Sequence, residues 1–355
     1  MTPDTTPGTS PAITGHRTTR RRLVGIASLL PATAALASCA DDTASRPGAG
    51  ATASPGAGSL VIGLTYTPSI QFAPFYMALA DGHYDPGVSL RHHGASEGLF
   101  DALTAGSEQV VVAGADEAVV AASNGSDLVV VGGFYQVYPA CIIVTEDSPV
   151  ATPADLAGRS IGIPGRFGES WYALQVALDA AGLSEDDVTI TEIGYTQQAA
   201  LAGGRVDAII GFSNNEAVQI PQAGTEVRTV AVAEEVPLVG ASVVTTGAVL
   251  DERREELTRL VGASVAGMEA FVDDPDGAVS ATRDYVPDLA DPTRAADARE
   301  VAVATAELIR PGADTPVGAL SSQSVAQMLG FLETHNLLGP TATEVASVCD
   351  PLVQD

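Results

Sequence analysis

Several stretches of this 355-residue chain place aromatic, carboxylate and carboxamide side chains directly after apolar, strand-like runs. Tyr66 comes just after residues 60–64, and Asp116 comes just after residues 110–115. Residues 164–172 follow an apolar run and hold Gly165, Phe167, Gly168, Glu169 and Trp171. Residues 211–216 hold Asn214, Asn215 and Glu216, and Tyr135 and Tyr138 follow a run that ends at Val131. Aromatic faces suit an electron-poor ring, and a phenol adds one directional hydrogen bond. Asn214 and Asn215 donate and accept at once, and Glu169 and Glu216 can each take an exocyclic amino proton. Each residue also has a structural use. Asp116, Glu169, Asn215 and Glu216 can cap the helices they open, Trp171 can bury against a sheet, and Tyr135 and Tyr138 can pack at a crossover. Phe75 and Tyr76 share one helix, where one of the two belongs to the core.

The loop at 164–172 is the strongest local signal. Gly165 and Gly168 let backbone approach a ligand, and a helix beginning near Ser170 points its first N–H groups toward it. To position these residues the chain alternates short strands and helices: strands at 60–64, 88–91, 110–113 and 128–131, with helices at 73–80, 98–103 and 117–122 between them. The same grammar restarts after residues 145–149, with strands at 160–163, 188–192, 206–211 and 227–232 and helices at 170–180, 197–201 and 215–222. Such switching within about 30 residues predicts βαβ units and parallel sheets. Cleft residues then belong at the carboxyl ends of the strands. A further strand at 242–246 and helices at 253–271, 295–308, 322–332 and 343–348 are expected to return to the first lobe. The expected organisation is α/β with two lobes, residues 60–145 plus 239–355 and residues 146–238, and a ligand cleft between them.

Charge excludes whole classes of partner. Seventeen basic residues, all Arg, face 44 acidic ones, for a formal charge of −27. No cationic surface is available for a nucleic-acid backbone or for anionic lipid. The absence of Lys removes a pyridoxal phosphate Schiff base and a Walker lysine alike. No cofactor and no metal site are expected. His92 and His93 follow a strand without supporting Cys or carboxylate spacing and are expected in a solvent-exposed loop. Cys141 lies in an apolar run and is either a buried thiol or the partner of Cys349 in a disulfide.

At the N-terminus, four Arg between positions 17 and 22 precede an apolar run at 23–37 that is too short to span a membrane permanently. Residues 1–38 read as a signal peptide. Leu36-Ala37-Ser38-Cys39 has the pattern of a lipobox, with Cys39 as the lipidated first residue of the mature chain. Residues 19–24 are similar to a twin-arginine signal, and a general secretory signal is equally served by these residues. Residues 39–59 read as a flexible tether, so the body is expected to hang from one lipid anchor at the extracytoplasmic face of the cell membrane.

Four stretches together carry a resemblance. They are Ala73-Pro74-Phe75-Tyr76-Met77-Ala78-Leu79-Ala80-Asp81-Gly82-His83-Tyr84, Leu103-Thr104-Ala105-Gly106, Pro153-Ala154-Asp155-Leu156-Ala157-Gly158-Arg159-Ser160-Ile161-Gly162-Ile163-Pro164 and Leu201-Ala202-Gly203-Gly204-Arg205-Val206-Asp207-Ala208. In this order and spacing they resemble the periplasmic-binding-protein-like receptors of ABC importers, in the group of nitrate, sulfonate, taurine and thiamine-pyrimidine-precursor receptors. The resemblance runs from about residue 60 to residue 271. It implies a type II two-lobed fold, a small-molecule solute, and an ABC permease with its ATPase as partners. Residues 165–172 and 211–216 look most like the branch for thiamine pyrimidine precursors, or the related branch for riboflavin and its precursors. An alkanesulfonate, taurine or nitrate receptor and a soluble thiamine-pyrimidine-synthesising enzyme are the alternatives, the last weakened by the missing Lys. The solute contacts expected are Tyr66, Phe75, Asp116, Tyr135, Tyr138, Gly165, Phe167, Gly168, Glu169, Trp171, Asn215 and Glu216, with no catalytic residue.

Overall fold

The computed structural model describes residues 59–94 and 97–353. The signal peptide, Cys39 and nearly all of the tether lie outside the described residues. The first half of the body runs β1 (Leu60–Leu64), α1 (Ala73–Ala80), β2 (Val88–His92), α2 (Asp101–Thr104), β3 (Val110–Gly114), α3 (Ala115–Ser123) and β4 (Leu128–Gly133). β3 and β4 are buried along their whole length. Their Val-rich runs are what a strand covered on both faces requires.

The second half runs β5 (Ala140–Thr145), β6 (Ser160–Ile163), α4 (Gly168–Ala181), β7 (Thr189–Glu192), α5 (Gln197–Ala202), β8 (Ala208–Phe212), α6 (Glu216–Gln222) and β9 (Val227–Val230). After it come β10 (Ala241–Thr246), α7 (Gly247–Asp273), α8 (Pro275–Thr282), α9 (Pro292–Ile309), α10 (Ser322–Thr334) and α11 (Val345–Val348).

The strands form two five-stranded sheets of matching design, β2-β1-β3-β10-β4 and β7-β6-β8-β5-β9. In the first, β1 pairs in parallel with β2 and β3, while β10 runs antiparallel between β3 and β4. In the second, β6 pairs in parallel with β7 and β8, and β5 runs antiparallel between β8 and β9. Each sheet thus takes its one reversed strand from the segment that has just crossed over from the other, at residues 134–139 and 231–240.

This pairing moves one expected boundary. The sequence places the lobe border at the acid-rich turn at 145–149, but residues 140–145 pair with β8 and β9 and belong to the second sheet. Their apolar run is buried there at every position but the last. In the tail, Cys349 bridges to Val130 of β4, and α9 packs its buried Val301, Ala302 and Ile309 into the core around α1 and α7. α8 was not anticipated. Asp274 caps it by accepting from the Gly277 amide at 2.8 Å, with Pro275 in its first turn. Cys141 and Cys349 are both buried free thiols, one in each sheet's neighbourhood, so the two cysteines do not pair. No helix among the described residues is long and apolar enough to cross a membrane.

Candidate functional site

The carboxyl end of β3 opens directly into α3 and that of β6 leads through residues 164–167 into α4, and these two helices bring carboxylates from opposite lobes to one place. A methyl group on Gly114 would sit 2.5 Å from Asp116 Oδ1, 3.0 Å from Glu117 Oε2 and 3.1 Å from Glu169 Oε1. Three acidic side chains therefore converge on the space a single side chain at position 114 would fill. Gly168 makes the second close approach. Its φ of +68° is open to glycine at low cost, and a methyl there would lie 2.8 Å from Glu117 Oε1.

Tyr138, in the first crossover, ties the lobes together at this point. Its hydroxyl donates to Asp116 Oδ2 at 2.7 Å and lies 3.2 Å from the Glu169 carbonyl. Asp116 Oδ1 accepts from the Glu117 amide at 2.7 Å, and the second crossover returns the Gly240 and Val239 carbonyls to the Ala115 and Asp116 amides. Glu169 Oε1 is buried and takes no hydrogen bond.

Among the described residues no cation offsets these charges. Burial raises Asp116 above the usual carboxylate range against the opposing hydrogen bond from Tyr138. Burial and then the Asp116 charge raise Glu117. Burial, Asp116 and Glu117 raise Glu169 well above that range as well. Arg166, the arginine of the 164–172 loop, is held elsewhere. It pairs with Glu185, lies 3.8 Å from Glu192, and covers the Trp171 ring at 4.9 Å.

Of the expected contacts, Asp116, Tyr138, Gly168 and Glu169 come together here. Gly165 is buried beside them in sequence, with the Phe167 ring folded against its backbone, and Phe167 itself is 58% exposed. Tyr66 is 53% exposed, at the end of β1. Trp171 is 8% exposed and packs in the core on α4. Phe75 is fully buried, edge-on to Phe134 at 5.3 Å, and is a core residue of the first lobe rather than a cleft residue. The reason is its helix face: α1 buries both Phe75 and Tyr76.

Asn215 and Glu216 serve their own turn. Glu216 accepts from the Phe212 amide at 2.8 Å and from Asn215 Nδ2 at 3.3 Å, and Asn215 Oδ1 accepts from Gln219 at 2.6 Å. Their neighbour Asn214 does the longer-range work. It is buried and donates to the Tyr135 hydroxyl at 3.2 Å and to Thr305 of α9 at 3.0 Å, joining β8 to the other lobe.

Sequence reasoning missed Glu117 as a site residue, although two adjacent acids at the end of a wholly buried strand were a visible signal. It also misplaced the histidines. His93 is buried and lies 3.0 Å from the fully buried Glu108, which also takes Arg91 at 2.6 Å. A carboxylate buried in a core needs such partners. His92, half-buried in β2, sits 3.0 Å from the Tyr66 carbonyl and 2.9 Å from the Tyr76 hydroxyl, which fixes the start of the cleft loop.

Two grooves flank the lobes. One of about 370 Å³ lies along both crossovers and includes Tyr138, Leu238 and Gly240, so Tyr138 stands between it and the carboxylates. Another of about 500 Å³ is lined by Ile70, Gln198, Gln219 and Gln222 with Arg294 and Val301 of α9. No group of three or more His, Cys, Asp or Glu among the described residues is arranged to hold a metal ion.

Comparison with known proteins agrees with this architecture. The chain is 33% identical over 264 residues to the riboflavin-binding protein RibY of Chloroflexus aurantiacus, covering 71% of this chain and 75% of that one. It is 23% identical over 333 residues to the formylaminopyrimidine-binding protein of Halalkalibacterium halodurans, covering 88% and 94%. Among solved structures, the periplasmic aliphatic sulphonate binding protein SsuA of Escherichia coli superposes with a TM-score of 0.64 at 20% identity, covering 81% of this chain and 91% of that one, which is a likeness of fold. Residues 69–278 match the model of the family described as NMT1/THI5 like. With its two crossed-over sheets and a candidate site at their strand ends, the chain belongs to the NMT1/THI5-like family.

Proposed function

We propose that the chain is the extracytoplasmic solute-binding component of an ABC importer, and that its solute is a flat, donor-rich heterocycle, riboflavin or a close precursor. The observation that carries this reading is the Asp116, Glu117 and Glu169 cluster contributed by both lobes. α3 and α4 direct their N-terminal ends at the cleft, where an anion would ordinarily be favoured. Here the chain's own carboxylates already occupy the first turns of both helices. A sulfonate, taurine or nitrate would meet like charge and no free arginine, so the anionic alternatives lose support. Hydroxyl and N–H donors, in contrast, satisfy carboxylates directly.

The sequence alone put a thiamine pyrimidine precursor first. Identity of 33% to a riboflavin-binding protein moves the flavin ahead. The pyrimidine stays as a second reading because exocyclic amines match the same acceptors and a formylaminopyrimidine-binding protein aligns over 88% of the chain. Residues proposed to meet the solute are Asp116, Glu117, Tyr138, Gly168 and Glu169, with Tyr66, Tyr135 and Phe167 as aromatic faces. The chain performs no chemistry on what it binds. It hangs from a lipid on Cys39 and hands its solute to a permease and ATPase.

Titration of the residue 60–355 protein, unfolded and refolded to strip carried-over solute, tests this. Riboflavin fluorescence is the first readout, followed by calorimetry with aminomethyl- and hydroxymethyl-pyrimidines, taurine and nitrate. Micromolar or tighter binding of riboflavin, with its emission quenched by the cleft aromatics, supports the reading. Binding of a pyrimidine alone moves the solute to the second reading, and binding of taurine or nitrate alone overturns both.

A further inference from the structure

The cleft brings together more negative charge than it can keep. We propose that the cluster of Asp116, Glu117 and Glu169 holds protons while the cleft is empty and loses them to solvent when the donor groups of the solute take their place, so that capture is linked to proton release. The inference rests on the interlobe cleft being the solute site and adds the chemical class the site accepts: neutral or cationic solutes presenting several O–H or N–H donors, and no anions.

Geometry carries the argument. Oxygens of all three carboxyls lie within 3.1 Å of one point, and Glu117 reaches across to within 2.8 Å of the Cβ position of Gly168 in the other lobe. Glu169 Oε1 is buried and unpartnered while aimed at this point. The other titratable groups facing the cluster are phenols: Tyr138 from the first crossover, Tyr172 from α4, and Tyr135, which faces Glu169. No Arg or His among the described residues pairs with any of the three. Carboxyls crowded in this way cannot all ionise, and some hold a proton at neutral pH. A solute hydroxyl or amine that donates to a carboxylate stabilises the ionised form. The proton that had done that work leaves to solvent, and nothing is oxidised or reduced.

Two arms test the proposal. In the first, the riboflavin Kd is measured by fluorescence quenching from pH 5.5 to 8, and binding enthalpy is compared in phosphate and Tris buffers at pH 7. Release of one proton makes Kd roughly tenfold tighter for each unit that pH rises toward the pKa of the releasing group and makes the two enthalpies differ. A Kd constant within about twofold across the range, with equal enthalpies, overturns the proposal. The second arm needs no solute. Potentiometric titration of solute-free protein from pH 8.5 to 5 is compared with the isosteric double variant Glu117→Gln/Glu169→Gln. The native protein is expected to take up roughly one proton more, and equal uptake overturns the proposal. If riboflavin fails to bind while the extra uptake is present, the flavin reading fails and the proton-holding cluster stands. The two-buffer calorimetry uses native protein alone, so a variant that folds poorly does not block the test.

Discussion

Tyr138 joins three parts of the cleft: Asp116 through its hydroxyl, the Glu169 carbonyl beside it, and the groove along both crossovers, which it lines. Tyr138→Phe removes the one side-chain donor to Asp116. It should cost about 1–3 kcal/mol in urea unfolding, with the midpoint lowered and the slope unchanged. A variant as stable as the native protein would mean that Asp116 is already neutral and finds another partner. Asp116, Tyr138 and Glu169 were legible in the sequence because each stands where a strand or crossover ends, a position that periodicity locates well. Glu117 was passed over, despite its place beside Asp116, because an acid in the first turn of a helix has an ordinary explanation in the helix dipole. Phe75 was misread because the face of a short helix that meets the core cannot be told from its own residues when both Phe75 and Tyr76 are apolar-bodied. Asn215 was chosen over Asn214 for the same lack of a third coordinate: only the fold shows which of two adjacent carboxamides turns toward α9.

At the level of elements, the entry to α4 is the most exacting piece of backbone. Gly168 combines a left-handed φ with contact to a carboxylate from the other lobe. Gly168→Ala should therefore destabilise by about 1–2 kcal/mol through strain. It should also weaken riboflavin binding by tenfold or more, because the added methyl displaces Glu117. Chemical denaturation and fluorescence titration read the two effects separately, and unchanged affinity would detach Glu117 from the solute. Apart from β5 and α8, the order of the main strands and helices in both lobes followed from the alternation of apolar runs and polar turns. What alternation cannot convey is partnership. β5 looks like a continuation of the first lobe until its neighbours β8 and β9 are known, because an antiparallel strand inserted after a crossover carries the same apolar signature as a parallel one.

For the molecule as a whole, the raised carboxyls set the direction of the pH response. In the folded protein Asp116, Glu117 and Glu169 bind protons more tightly than in the unfolded chain. Between the unfolded carboxylate range near about pH 4 and their raised values, the folded state carries more protons. Stability of the solute-free protein therefore falls as pH rises through this window. Thermal unfolding should give a Tm several degrees higher at pH 5.5 than at pH 8. The surplus of acids over arginines pushes the same way through self-repulsion, so the diagnostic quantity is the flattening of this slope in Glu117→Gln/Glu169→Gln. A slope that the double variant leaves intact would assign the effect to overall charge. Lobe contact adds a fourth expectation: Asn214→Ala removes the bonds to Tyr135 and Thr305 and should raise the radius of gyration in small-angle scattering without loss of either sheet. The crossed strands, finally, impose an order of assembly. Every strand of the second sheet lies between residues 140 and 230, whereas the first sheet stays open in its middle until residues 241–246 arrive. The lobe begun first is completed last, leaving a gap between β3 and β4 throughout synthesis of the other. A chain truncated before β10 should thus present one finished lobe and, in the other, an open protease-sensitive edge on β3 and a β4 without its strand partner.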